Sequence, residues 1–140
     1  MKISCIIMAE GQQTLLRSMK NLLEPQIEVA AMTDNVLSLI DSLRSLDPDV
    51  AIIHAVNLHH GTMIQHVGQS FPDLKIIIVS DVDDPAIIRK MMTQNVKGWV
   101  HLQDASTQLI PAVDAVFKGD TYPPTPEYAG EDEHGNPPES

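Results

Sequence analysis

Pro48-Asp49-Val50-Ala51-Ile52-Ile53-His54 is the stretch whose reading decides the fold. Val50 to Ile53 are apolar without alternation, the pattern of a strand buried on both faces. Proline and aspartate punctuate its start, and a histidine closes it.

The same grammar repeats outward from this strand. Ile3–Met8, Ile27–Met32, Ile76–Val79 and the shorter Gly98–His101 are further strand-length apolar runs. Between them the apolar period becomes helical. Leu15, Leu16, Met19, Leu22 and Leu23 form the first helix, stopped by Pro25. Asp34 or Asn35 caps a second, carrying Val36, Leu37, Leu39, Ile40 and Leu43. Gly61 opens a weaker third with Met63, Ile64 and Val67, ending before Phe71-Pro72-Asp73. Asp84-Pro85 is a cap followed by proline in the first turn, and Ile87, Ile88, Met91 and Met92 line that fourth helix. The last runs from about Ser106 through Leu109, Ile110, Val113, Val116 and Phe117 to Gly119, with Pro111 in its early turns, tolerated there or kinking it. Strands alternating with helices imply a parallel sheet covered on both faces.

The chain has 140 residues, enough for one domain with a sizeable core. Its formal net charge is −10, which argues against direct nucleic-acid binding, since phosphate contacts need a basic patch. Asp120, Glu127, Glu131, Asp132, Glu133 and Glu139 carry most of that excess; without these six, 13 acids face 9 bases, a balance of −4 for residues 1–118. Five of the ten prolines also lie in 120–140, so the reading is a domain over 1–119 and an acidic, proline-rich disordered tail or linker over 120–140. Cys5 is the only cysteine and sits in an apolar run, where an inert thiol is expected. No run reaches membrane-spanning length and the N-terminal residues read as a strand, so a cytoplasmic location and no membrane partner are expected.

Several stretches, in this order and spacing, resemble the receiver domain of bacterial response regulators, most closely the NarL/FixJ type. They are Leu15-Leu16-Arg17, Pro48-Asp49-Val50, Lys75-Ile76-Ile77-Ile78-Val79-Ser80, Gly98-Trp99-Val100, and Ala112-Val113-Asp114-Ala115-Val116-Phe117-Lys118-Gly119-Asp120. The resemblance covers about residues 2–123. It implies an α/β, flavodoxin-like, doubly wound five-stranded parallel sheet of order 2-1-3-4-5 with five helices. A site is then expected at the carboxyl ends of the strands, where Glu10, His54 and Ser80 fall.

The resemblance also implies a phosphoryl switch, and here its parts are broken. Such receivers hold a divalent cation on acidic residues after the first strand. Ala9-Glu10-Gly11-Gln12 offers Glu10 with Gly11 or Gln12 as its partner, a poor Mg²⁺ site. The phosphoacceptor aspartate is replaced by His54. The switch hydroxyl is kept as Ser80. Leu102 or Gln103 stands where a lysine neutralises the added charge. The next loop departs too, with Asn57-Leu58 and a shortened His59-His60-Gly61. The degenerate pocket is therefore Glu10, Gly11, His54, Ser80, Leu102 and Gln103, with no catalytic residue, no metal and no cofactor.

Sharper readings of the same residues are a phosphohistidine at His54, a transition-metal site of Glu10, His54, His59 and His60, and a pH sensor at His54. No second residue is evident to activate the ring, and the histidine spacing matches no closed metal site, so a polar filling of the old acidic pocket is preferred. Asp81, Asp83 and Asp84 read as a capping, solvated loop, and Trp99 stands where the family has a switching aromatic, here either a fixed part of an interaction surface or a packed ring. The expected function is a non-enzymatic signalling module acting through a protein partner or as a homodimer, with Leu15, Met19, Ile88, Met92, Trp99, Leu109 and Val113 as contact residues. The rivals are an unconventional acceptor, His54 or Asp49, and a small-ligand site in the vacated pocket. The helix-turn-helix domain that usually follows this receiver type is not found in these residues, which leaves both a stand-alone receiver and a piece of a transcription regulator open.

Overall fold

A computed structural model describes residues 2–55, 59–82, 84–92 and 95–122, with the side chains of 59–61 and 90–92 excepted. Of the residues named above, Asn57, Leu58, Asp83 and the tail beyond Tyr122 lie outside the described residues, as do the side chains of His59, His60, Met91 and Met92. Strands β1 (Ile3–Met8), β2 (Ile27–Thr33), β3 (Val50–His54), β4 (Lys75–Ser80) and β5 (Val96–His101) alternate with helices α1 (Gln13–Leu23), α2 (Val36–Leu46), α3 (His59–Ser70), α4 (Pro85–Met92) and α5 (Ala105–Phe117). The strands form one parallel sheet of order β2-β1-β3-β4-β5. That is the doubly wound order the family resemblance implies, and the parallel sheet covered on both faces that the unbroken apolar strands imply.

The core has two layers, one on each face of the sheet. Alternate strand residues Cys5, Ile7, Ile52, Ile77 and Val79 meet Leu16, Met19 and Leu23 of α1 and Leu109, Val113 and Val116 of α5. Their neighbours Ile6, Met8, Ala51, Ile53, Ile76 and Ile78 meet Leu39 and Leu43 of α2, Ile64 and Val67 of α3, and Ile88 of α4. Strand period two thus puts the apolar residues of the central strands alternately in the two layers, which is why no polar alternation appears in the sequence.

Local chemistry fixes the helix ends. Of the two cap candidates for α2, Asn35 takes the role: its side chain accepts the Ser38 amide at 2.8 Å. Asp84 Oδ1 accepts the Ala86 amide at 2.9 Å at the start of α4. At the end of α5, Gly119 adopts φ 99°. Gly119 N–H donates to Val116 and Asp120 N–H to Ala115, a Schellman ending.

The structure corrects several boundaries. Helix α3 begins at His59, not Gly61, so His59 and His60 belong to its first turn and not to a loop. Pro111 lies in the middle of α5, and the helix runs through it. Leu37, read as part of the α2 apolar face, is 77% exposed. The chain stays on the sheet past Gly119: Tyr122 forms a parallel bridge to Gly98.

Candidate functional site

The carboxyl ends of β1, β3, β4 and β5 gather the expected site residues at one edge of the sheet. Register sets the order: Met8 lies beside Ile53, His54 beside Val79, and Ser80 beside His101.

His54 is the last residue of β3 and only 5% exposed. Strand alternation turns it toward the α1–α5 layer, because Ile53 before it belongs to the other. Leu102, just after β5, is half-buried and packs against that same α1–α5 layer. Of the two residues expected in place of the cation, Leu102 and Gln103, Leu102 brings a branched apolar side chain to that layer and Gln103 is exposed.

Glu10 and Gly11 are both exposed. They form the corner of a tight turn in which Gln12 N–H reaches Ala9 O at 3.3 Å, with Gly11 at φ +66°. The glycine is there for its backbone: nothing lies within 4 Å of where a Cβ would stand. Among the described residues no group of three or more His, Cys, Asp or Glu is placed to hold a metal ion.

Ser80 is fully buried, and its Oγ accepts the Val82 amide at 3.0 Å. The hydroxyl that would meet a phosphoryl group here holds the start of the β4–α4 loop. Next to it a cavity of about 370 Å³ is lined by Asp81, His101, Leu102 and Gln103. His101 was missed in the sequence because its place beside Ser80 depends on a register shift between Ile76 and Ile77 that no residue pattern announces. Asp81 was read as solvated loop; it is exposed, yet it forms one wall.

Asp49, a rival acceptor, is far from this edge. It precedes β3 at the opposite end, where its carboxylate accepts the Ser4 amide at 2.9 Å and the Ser4 hydroxyl at 3.3 Å. The set of contact residues also needs correction. Met19, Leu109 and Val113 lie in the α1–α5 core, and Ile88 and Trp99 in the other, all at most 5% exposed. Their helical and strand periodicity reported burial. Only Leu15 is half-buried, and the side chain of Met92 lies outside the described residues.

The structure of the non-phosphorylated receiver domain of RcsB from Escherichia coli superposes with TM-score 0.76 at 26% identity, over 86% of this chain and 97% of that domain. The transcriptional regulatory protein RcsB of Salmonella typhi is 31% identical over 127 residues, which is 85% of this chain. The chain carries a receiver domain of the response-regulator family. A second receiver structure, the isolated RcsB domain of Salmonella enterica serovar Typhimurium in the presence of the phosphomimetic BeF3⁻, matches with TM-score 0.75 at 26% identity, over 86% of this chain and 92% of that one. No protein-family model matches the chain. This receiver spans 58% of the length of the curated RcsB relative. No helix among the described residues is long and apolar enough to cross a membrane.

Proposed function

We propose that this receiver is a non-catalytic pseudo-receiver that works without phosphorylation, through contact with a protein partner or a second copy in a cytoplasmic signalling system. One observation carries the reading: His54, at the end of β3, is buried on the side where Leu102 packs. Nucleophile and counter-cation are replaced together, and Gly11 stands in a turn that favours glycine. The metal, the attack and the charge neutralisation all lose their residues.

The experiment is direct. The chain is incubated with Mg²⁺ and acetyl phosphate and its intact mass recorded. In parallel, Mg²⁺ and beryllofluoride are titrated against its melting temperature. No mass gain and no shift are expected. A stable phosphoryl adduct that disappears in His54→Ala supports the rival reading, an unconventional acceptor, and overturns this one.

The cavity beside Ser80 favours a second reading, a small-ligand-binding pseudo-receiver. A metabolite screen by thermal shift tests it. The reading requires that His101→Ala or Gln103→Ala abolish any stabilisation found.

A further inference from the structure

The last described residues close an edge of the sheet. After the α5 ending the chain turns back beside β5. Tyr122 N–H donates to Lys97 O at 2.9 Å, and Trp99 N–H donates to Tyr122 O at 2.8 Å. These two bonds are one rung of a parallel ladder. The Tyr122 ring packs at the margin of the α1–α5 core, and its hydroxyl meets Gln108 Oε1 on α5. A second rung would need an N–H at position 124, where the sequence has proline. Among the described residues the docking is one rung deep and anchored by one aromatic side chain.

The strand beneath is irregular at the same place. Ile76 pairs with Val96 but Ile77 with Gly98, which leaves Lys97 as an extra residue in β5. Its side chain is exposed. A bulge and a lysine on an outer strand are devices that discourage pairing with another chain. Here they coincide with a piece of the chain's own backbone laid across the amide of Trp99. Edge-to-edge association of two copies would need this amide and carbonyl, since β5 can pair with its own symmetry mate and nothing else is required.

We propose that the Tyr122 rung and the bulged Lys97 together guard the β5 edge against the same edge of a second copy, and that removing both converts the edge into a docking surface. This stands independently of the phosphorylation reading, because neither residue belongs to the pocket at the strand ends.

The test uses the full chain. In Tyr122→Ala the Trp99 amide should exchange about tenfold faster with deuterium, the weight of one lost hydrogen bond, while the Ile78 amide in central β4 stays protected. Tyr122→Ala combined with Lys97→Thr should show a mass in solution that rises with concentration above that of the parent, and Lys97→Thr alone should not. If alanine unfolds the chain, Tyr122→Phe, which loses only the bond to Gln108, carries the same readouts in graded form. Unchanged Trp99 exchange overturns the guard, and so does a double variant that keeps the parent's mass at every concentration.

Discussion

Ser4 and Asp49 grip each other across the amino-terminal ends of β1 and β3. The Asp49 carboxylate accepts the Ser4 amide and hydroxyl, and the Asp49 amide donates back to Ser4 O at 3.0 Å. The aspartate that introduces the fold-deciding strand therefore fixes the register of the sheet at the edge opposite the pocket. Asp49→Ala should lower stability by about 0.5–1.5 kcal/mol, because it removes the acceptor of two hydrogen bonds at a solvent-accessible edge. Asp49→Asn should cost less, since its carbonyl oxygen can still accept the Ser4 amide. Urea denaturation of both variants is the measurement. A larger effect of asparagine than of alanine would refute the assignment.

Cys5 makes stability depend on pH at the alkaline end. It lies fully inside the α1–α5 core, and burial, with Glu28 adding repulsion, pushes its thiol up from 9.0 to about 12. The unfolded chain then loses this proton before the folded one does. The contribution is whole below pH ~9 and falls as pH rises toward ~12, by at most about 1.4 kcal/mol per pH unit. Replacing Cys5 by Val should flatten that part of the profile in urea melts taken from pH 8 to about 11. In the native parent the thiol should resist alkylation until the chain unfolds, and rapid native labelling would contradict its placement.

Most of the architecture was legible in the sequence because a sheet buried on both faces writes its strands as unbroken apolar runs. Ile3–Met8 and Lys75–Ser80 could hardly be anything else. The site was legible as positions: Glu10, His54, Ser80 and Leu102 all come to the same edge. The contact surface was not, because periodic Met19, Leu109 and Val113 look alike whether a partner or the protein's own core covers them. His101 and Tyr122 were hidden for another reason. Their roles depend on the shifted β4–β5 register and on a turn after α5, and neither has a side-chain pattern of its own.

Asn95 ties the end of α3 to the start of β5. Its Nδ2 lies 3.2 Å from Gly68 O, 3.4 Å from Phe71 O and 3.2 Å from Pro72 O, a fan of carbonyls at and just past the helix end, of which Phe71 O also accepts the Leu74 amide at 3.0 Å. Asn95→Ala should cost about 1–3 kcal/mol, and Asn95→Asp more, because a carboxylate would face carbonyl oxygens with no hydrogen to offer. Gly68→Ala probes the same contact from the other side: a Cβ there would stand 3.0 Å from Asn95 Cγ. If Gly68→Ala costs nothing when Asn95 is intact, the two residues do not press on each other. Thermal melts of the three variants decide.

Restoring one residue should not restore the switch. His54→Asp returns a carboxyl group to the end of β3, but into a place 5% exposed, beside a Leu102 that packs as part of the core. Glu10 alone offers little to a divalent cation, and Gly11, at φ +66°, brings no side chain at all. The new carboxylate is then a charge at a nearly buried position, and His54→Asp should lose about 2–4 kcal/mol at neutral pH. It should gain no mass from acetyl phosphate in the presence of Mg²⁺. Adding Leu102→Lys supplies the missing cation, so the double variant should be more stable than the sum of the two single changes by about 1–3 kcal/mol. Urea denaturation of the four chains closes the cycle. Full phosphorylation of His54→Asp alone would mean that neither Leu102 nor Gly11 stands in the way, and a coupling of zero would mean that position 102 does not face position 54.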